Sequence, residues 1–122
     1  MDMKVLIVED NPITAMDLNE IVDSNGMKVV GIAGSVEDAL KIYDRNDVDV
    51  ILIDIQLKGN LDGIDLATII AKKGNVPFIF LTSNSMSNYI DRAKKTHPFG
   101  YLTKPIYANE ICELASAALE SD

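Results

Sequence analysis

The chain has 122 residues, 48% of them hydrophobic and 25% charged, and its formal net charge is −8. This length suits a single domain that buries a core without disulfides or a structural metal, and the composition excludes a disordered or fibrous chain. The negative charge argues against direct binding to nucleic acid, because that binding depends on cationic residues that neutralise phosphates.

Short apolar runs alternate with segments of helical periodicity along the whole chain. The predicted strands are residues 5–8, 28–33, 49–54, 77–81 and 100–103. The predicted helices are residues 12–25, 64–73, 85–96 and 108–119, together with one that begins after Ser35 as its N-cap. Strict alternation predicts an α/β fold, a doubly wound five-stranded parallel sheet flanked by helices on both faces. The order of the strands does not follow from periodicity.

Apolar positions at helical spacing predict the buried face of each helix. These positions are Ala15, Leu18 and Val22 in the first helix, Ile64, Ala67, Ile70 and Ala71 in the third, and Ala108, Ile111, Ala115 and Ala118 in the fifth. The fourth helix is polar except for Met86, Tyr89, Ile90 and Ala93. Because its apolar stripe is thin, we expect it to be the least firmly packed helix.

We expect no targeting signal in this chain. No apolar segment precedes the first strand, and no apolar run approaches the length of a membrane span. The single Cys112 has no second cysteine to pair with. We therefore expect a cytoplasmic protein that does not associate with a membrane.

Reactive side chains stand at the ends of four predicted strands. Glu9 and Asp10 follow the first strand, Asp54 ends the third, Thr82 follows the fourth and Lys104 follows the fifth. In an open α/β sheet the carboxyl ends of the strands line the crevice in which ligands bind. We expect three carboxylates, a hydroxyl and a lysine to meet at this edge.

Crowded carboxylates require a cation nearby. At an effective dielectric near 20, two unit charges about 4 Å apart repel by roughly 4 kcal/mol. Oxygen ligands suit a hard ion such as Mg²⁺, which Glu9, Asp10 and Asp54 would bind. Asp54 then becomes a candidate nucleophile that forms an acyl phosphate, with Lys104 and Thr82 contacting the phosphoryl oxygens. Such a site is a switch as much as a catalyst.

These residues carry a family resemblance that covers essentially the whole chain. The sequence resembles response-regulator receiver domains, including single-domain chemotaxis regulators, in Val8-Glu9-Asp10-Asn11, Leu52-Ile53-Asp54, Asp62-Gly63, Leu81-Thr82-Ser83 and Lys104-Pro105. The resemblance implies a flavodoxin-like (βα)5 fold and a role in two-component, phosphorelay signal transduction.

Site roles follow from the resemblance, residue by residue. It implies that Asp54 is phosphorylated and that Mg²⁺, or Mn²⁺, is bound directly by Asp10 and Asp54, with Glu9 acting through water. The backbone carbonyl of Gln56 would be a further metal ligand, and no organic cofactor is implied.

Residues on the last two strands complete the implied site. Thr82 and Lys104 would hold the phosphoryl group, and Tyr101 would be the switch aromatic that responds to Thr82. The bond between Lys104 and Pro105 would be cis.

The chain differs in places from the commonest family pattern. The segment between Asp54 and Gly63 lacks the usual Met-Pro and is one residue longer, and Glu9-Asp10 stands in place of the commoner Asp-Asp, a variant that the family also uses. The positions that tune phosphoryl lifetime in the family, two beyond Asp54 and two beyond Thr82, hold the uncharged Gln56 and Asn84. The shape and partner contacts of the loop and the phosphoryl lifetime therefore stay open.

The function implied is that of a phosphoacceptor signalling domain. It would take a phosphoryl group from a sensor histidine kinase or phosphotransfer protein and catalyse only its own phosphorylation and dephosphorylation. Phosphorylation would change the surface of the fourth helix, fifth strand and fifth helix for an unknown downstream effector or for homodimerisation. We expect residues 1–122 to form one receiver domain, either a single-domain regulator or a piece of a longer one.

Three alternatives remain open. A phosphatase or phosphotransferase acting through an aspartyl-phosphate is disfavoured because Gln56 interrupts the DxD pattern, and a nucleotide-binding module because GxGxxG and GxxxxGK[ST] are absent. A receiver that acts as a constitutive interaction domain is the third. The basic group Arg92, Lys94 and Lys95 is interpreted either as a solvated face or, with Tyr101, as a partner surface.

Overall fold

The computed structural model describes residues 3–83 and 87–120. Its strands are β1 (Lys4–Val8), β2 (Lys28–Ala33), β3 (Val50–Asp54), β4 (Phe78–Thr82) and β5 (Gly100–Thr103). Its helices are α1 (Pro12–Ser24), α2 (Val36–Arg45), α3 (Gly63–Lys73), α4 (Ile90–Lys94) and α5 (Ala108–Glu120), and a 3₁₀ turn at Ser87–Tyr89 precedes α4.

All five strands are parallel and form one sheet in the order β2-β1-β3-β4-β5. This confirms the predicted doubly wound, flavodoxin-like fold. The central strand β3 lies between β1 and β4, with Ile53 opposite Val8 and Asp54 opposite Leu81. The carboxyl ends of β1, β3 and β4 therefore meet at one edge of the sheet.

The core lies on both faces of the sheet because its inner strands are apolar on both sides. Ile51 and Ile53 of β3 pack in a cluster with residues of α2 and α3. Val50 and Leu52 of the same strand pack in a second cluster with residues of α1 and α5. The continuous apolar run of β3 thus fixes its position at the centre of the fold and directs its end towards the edge where the polar residues collect.

Side-chain caps define where the first three helices begin. The Asn11 side chain accepts hydrogen bonds from the backbone at the start of α1, and Ser35 caps α2 as predicted. Asp62 and Asp65 form a capping box at the start of α3, in which each side chain accepts from the backbone of the other. The capping box therefore fixes the position at which the loop after β3 ends and α3 begins.

Two predicted helix faces were partly wrong. Ala71, in the last turn of α3, and Ala108, in the first turn of α5, are exposed, while Leu66 is buried. Both alanines stand in the terminal turns of their helices, outside the buried stretch of each. The buried stripes otherwise follow the predicted spacing, and Ile111, Ala115 and Ala118 are the buried residues of α5.

The fourth helix is shorter than the predicted 85–96. It spans Ile90–Lys94, and within it only Ala93 is buried, while Ile90 is exposed. The polar sequence offers the core too little apolar surface to extend the helix. Met86 lies outside the described residues.

No helix within the described part of the chain combines the length and the apolar character needed to cross a membrane.

Candidate functional site

Three carboxylates converge at the carboxyl edge of the sheet. Glu9 and Asp10 follow β1, Asp54 ends the adjacent strand β3, and each offers an oxygen within 4.8 Å of the others. Glu9 is 3% exposed and Asp54 is 6% exposed, whereas Asp10 is partly buried. The predicted acidic cluster is therefore present and largely withdrawn from solvent.

The predicted lysine closes this cluster from the side of β5. Lys104 Nζ lies 2.9 Å from Glu9 Oε1 and 3.3 Å from Asp54 Oδ2. Its backbone N–H donates to the carbonyl oxygen of Thr82 at 2.7 Å, and its bond to Pro105 is cis, as the resemblance implied. Partial burial acts to lower the pKa of Lys104, but the hydrogen bond to Glu9 and the charge of Asp54 outweigh it and raise the pKa.

The pKa of Asp54 is raised from 3.8 to about 7. Burial is the largest cause, followed by the hydrogen bond and the negative charge of Glu9, while Lys104 and the Gln56 N–H act in the opposite direction. Fully ionised, three carboxylates and one ammonium leave two negative charges in this site. This excess charge and the all-oxygen donor set fit a divalent hard cation such as Mg²⁺.

Backbone donors orient the two buried carboxylates. Glu9 Oε2 accepts from the Asn11 N–H at 3.1 Å, and Asp54 Oδ1 accepts from the Gln56 N–H at 3.0 Å. Because the N–H of Gln56 is fixed on Asp54, the residue predicted to offer a carbonyl ligand stands directly beside the cluster, with its side chain exposed.

The loop after β3 contacts the site through a bond that the sequence did not indicate. The backbone N–H of Lys58 donates to Asp10 Oδ2 at 2.8 Å. Lys58 belongs to the segment that departs from the family pattern, and Gly59 beside it has a φ of 109°, a conformation that glycine tolerates best. The unusual loop is therefore attached to one of the candidate metal ligands.

Gly63 explains part of the Asp62-Gly63 motif. A Cβ at this position would overlap the backbone carbonyl oxygen of Asp54, and the Gly63 N–H donates to the Ile55 carbonyl at 2.9 Å. The first turn of α3 thus packs directly on the backbone of the candidate phosphoacceptor. Any larger residue here would displace one of the two.

Arg92 is a further residue whose partners the sequence did not indicate. Its Nη1 lies 3.0 Å from Asp62 Oδ2 and its Nη2 lies 3.4 Å from Asp65 Oδ1, so it joins α4 to the capping box of α3. Burial acts to raise the pKa of Asp62, but hydrogen bonds from the Asp65 backbone and from Arg92 outweigh it and lower the pKa. Part of the basic group interpreted as a solvated face therefore has a specific structural role.

Thr82 and Tyr101 lie on the neighbouring strands β4 and β5. Thr82 follows Leu81, the register partner of Asp54, and is partly buried. Tyr101 is opposite Phe80, with ring centroids 6.0 Å apart, and is 40% exposed. The structure therefore brings Glu9, Asp10, Asp54 and Lys104 into contact, with Thr82 at the next strand end and Tyr101 on the edge strand. Asn84 lies outside the described residues.

A profile of the response regulator receiver domain matches residues 5–116 of this chain. The chain belongs to the response regulator receiver family. The predicted family and its place in two-component signalling are thereby confirmed, and the acidic site stands where the receiver motifs do.

Individual relatives agree with this assignment. The transcriptional regulatory protein PdtaR of Mycobacterium tuberculosis is 32% identical over 108 residues, which cover 88% of this chain and 52% of PdtaR. The phyllosphere-induced regulator PhyR of Methylorubrum extorquens is 32% identical over 123 residues, which cover 98% of this chain and 44% of PhyR. This receiver chain thus spans about half the length of the curated relatives it matches.

A solved receiver structure has the same fold. The signal receiver domain of a modulated diguanylate cyclase from Desulfovibrio desulfuricans G20 superposes with a TM-score of 0.93 and is 36% identical. The match covers 98% of this chain and 95% of that one. The fold of this chain is therefore that of a receiver domain over nearly its whole length.

Proposed function

We propose that this receiver domain accepts a phosphoryl group on Asp54 in a reaction that depends on Mg²⁺. The observation that carries the proposal is the position of Asp54, a buried carboxylate 3.3 Å from the ammonium of Lys104 and within 4.8 Å of two other acids. A buried carboxylate with a cation beside it and a metal-binding set around it has the parts needed for phosphoryl transfer.

The metal ligands in this proposal are Asp10, Asp54 and the carbonyl of Gln56, with Glu9 acting through water. Mg²⁺, or Mn²⁺ with the same preference for oxygen, would neutralise the charge of the phosphoryl oxygens and favour the ionised form of Asp54. Glu9 and Asp10 contribute the negative charge that attracts the cation. The hydrogen bonds from Asn11, Gln56 and Lys58 N–H groups hold the carboxylates in place.

In the reaction, Asp54 is the only protein residue that forms a covalent bond. A carboxylate oxygen of Asp54 forms a bond to phosphorus as the P–N bond of a donor phosphohistidine breaks, and the electron pair of that bond stays on the imidazole nitrogen. Lys104, now bound to Glu9 and Asp54, would contact a phosphoryl oxygen, and the Thr82 hydroxyl would donate to another. Attack by water on the acyl phosphate would return the carboxylate and inorganic phosphate. The domain thus acts on its own Asp54 alone.

The donor is a sensor histidine kinase or a phosphotransfer protein, and the surface around the site fits one. Ile13 and Met16 on α1 are 73% and 70% exposed, and because they stand three residues apart on the helix they form one small apolar surface. A groove of about 200 Å³ beside them is lined by residues of α1 and by Lys104, Pro105 and Ile106. A donor that docked here would bring its histidine to the edge of the sheet where Asp54 lies.

The output is a change at the surface of α4, β5 and α5. Thr82 ends β4, and Lys104 binds its carbonyl, so movement of either residue towards a phosphoryl group would be transmitted to the segment before α4 and to β5. Tyr101 has the partial exposure that a switch between two rotamers requires. This surface would bind an unknown effector or a second copy of the chain, in the cytoplasm and without direct contact with nucleic acid.

Beryllium fluoride, a stable mimic of the phosphoryl group, tests this proposal. In the presence of Mg²⁺ it should raise the melting temperature of the protein and shift the NMR resonances of Thr82 and Tyr101. The Asp54→Ala variant should show neither response, while Asp23→Ala, an exposed acid on α1 outside the groove that Lys104 lines, should respond as the natural sequence does. A natural protein that does not respond would instead be a constitutive interaction domain.

A further inference from the structure

We infer that the groove between α3 and α4 is a docking site for an acidic segment of a partner protein. This α3–α4 groove has a volume of about 450 Å³. Ile64 and Ala71 contribute apolar wall, and Lys72, Arg92, Lys95 and His97 contribute cationic or titratable groups. The inference does not require that Asp54 be phosphorylated.

Charge distinguishes this groove from the rest of the chain. Residues 72–95 contain five of the eleven Lys and Arg residues but one of the nineteen Asp and Glu residues. No acidic residue lines the groove within the described part of the chain. A cationic groove on a protein of net charge −8 is complementary to an anionic ligand, and it would orient such a ligand against an otherwise repelling surface.

The cations of the groove are available to a ligand. Within residues 3–83 and 87–120, Lys72 and Lys95 form no ion pair, whereas Lys73 on the same turn of α3 pairs with Asp44 at 3.2 Å. Arg92 is held by Asp62 and Asp65, and its side chain is still 49% exposed. Because these two carboxylates already offset the charge of Arg92, the unpaired ammonium groups of Lys72 and Lys95 are the cations that would bind the carboxylates of a ligand.

An acidic protein segment fits the groove better than nucleic acid. The net charge opposes a polyanion that extends beyond the groove, since counterion release from phosphates requires a continuous basic surface. The apolar wall formed by Ile64 and Ala71 would also make no favourable contact with a sugar-phosphate backbone. A short segment that alternates carboxylates with aliphatic side chains would satisfy both the cations and this wall.

The location of the groove keeps it separate from the proposed donor surface. The core cluster of α2, α3 and Ala93 of α4 lies on one face of the sheet, and the cluster of α1 and α5 lies on the other. A partner in the α3–α4 groove would therefore leave Ile13 and Met16 accessible. Its contact with α4 would be on the side that faces α3.

The test uses a labelled peptide of alternating Glu and Leu, with a Gln and Leu peptide of the same length as the matched control. NMR spectra of the isotope-labelled protein should shift at the last turn of α3 and at α4 with the first peptide and not with the second. The double variant Lys72→Gln, Lys95→Gln should weaken binding by about tenfold. The double variant Lys28→Gln, Lys41→Gln removes the same charge from exposed sites outside the groove and should bind like the natural sequence.

Several results would overturn the inference. Equal weakening by the two double variants would mean non-specific attraction, and equal shifts with inorganic phosphate alone would mean a small-anion site. Tighter binding of a single-stranded oligonucleotide, or concentration-dependent shifts at the groove without peptide, would identify nucleic acid or a second copy as the occupant. The Asp54→Ala variant should bind the peptide with the affinity of the natural sequence. The peptide measurement therefore tests the groove independently of the phosphorylation proposal, which beryllium fluoride tests.

Discussion

The ammonium of Lys104 lies closer to Glu9, at 2.9 Å from Oε1, than to Asp54, at 3.3 Å from Oδ2. Without a metal, Lys104 is therefore the cation that offsets the negative charge of Glu9, whose side chain is fully buried. A divalent cation in the cluster would take over this role. Lys104 would then be free to contact a phosphoryl group on Asp54.

Replacing Lys104 should therefore destabilise the metal-free protein. Lys104→Met keeps most of the side-chain volume and leaves Glu9 buried without its cation, so the free energy of unfolding should fall by about 1–3 kcal/mol. Added Mg²⁺ should reduce this deficit. Urea unfolding with and without Mg²⁺ measures both effects, and Lys41→Met on the exposed side of α2 is the control. An unchanged stability without Mg²⁺ would contradict the role given to Lys104.

The free energy of unfolding should depend on pH because ionised Asp54 is unfavourable in the folded protein. Its pKa in the folded protein is about 7, above the value of 3.8 in an unfolded chain. A raised pKa means that the contribution to stability is complete below pH 3.8 and is lost as the pH rises through about 7. Asp54→Asn removes this titration.

Melting temperatures of the metal-free proteins check this expectation. The melting temperature of Asp54→Asn should be higher than that of the natural sequence at roughly pH 8, and the difference should become smaller at roughly pH 5. With Mg²⁺ the order should reverse, since an amide is a weaker ligand than a carboxylate. Curves that stay parallel over this range would show that Asp54 carries no unfavourable charge.

Gly63 should tolerate no side chain. An added Cβ would overlap the Asp54 carbonyl oxygen, so Gly63→Ala should force β3 and α3 apart and cost about 1–3 kcal/mol of stability. Because Asp54 moves with its backbone, the affinity for Mg²⁺ should fall as well. Gly34→Ala is a suitable control, since its Cβ would make an ordinary contact with the Asp10 backbone at 3.8 Å. Calorimetric Mg²⁺ titration measures the affinity, and urea unfolding measures the stability, of both variants. If the two variants have the same affinity and the same stability, Gly63 is not closely packed against Asp54.

Arg92 should fix the short helix α4. The Arg92→Ala variant loses both ion pairs to the capping box of α3, so the amide hydrogens of α4 should exchange faster with solvent. Global stability should change by less than about 1 kcal/mol, because the pairs are largely exposed. Lys94→Ala, on the same helix, is the control. If both variants leave hydrogen exchange in α4 as it was, the ion pairs do not hold the helix.

Much of the fold and of the site could be predicted because the residues at strand ends are chemically distinctive. The apolar run that precedes Asp54 indicated a buried strand, and the parallel topology brought Glu9, Asp10 and Lys104 to it. Contacts made by backbone groups could not be predicted in this way. The bond from the Lys58 N–H to Asp10 depends on the path of the loop, and any residue other than proline can donate it.

Contacts between surface residues that are distant in the sequence could not be predicted either. Arg92 is 30 residues from Asp62 and 27 from Asp65, and nothing in their local sequences links them. The length of α4 was overestimated because Tyr89, Ile90 and Ala93 were counted as one helical stripe, whereas Tyr89 packs against the core from the preceding 3₁₀ turn, Ile90 is exposed and Ala93 is the buried residue of α4. The tertiary context, and not helix propensity, sets the limits of that helix.

Intact-mass spectrometry after brief incubation with acetyl phosphate tests the central claim most directly. The natural sequence should gain the mass of one phosphoryl group with Mg²⁺, and this gain should vanish without metal and in Asp54→Ala. A gain that persists in Asp54→Ala would contradict the assignment of Asp54 as phosphoacceptor. Absence of any gain, in a protein that also fails to respond to beryllium fluoride, would contradict a phosphorylation switch at this site.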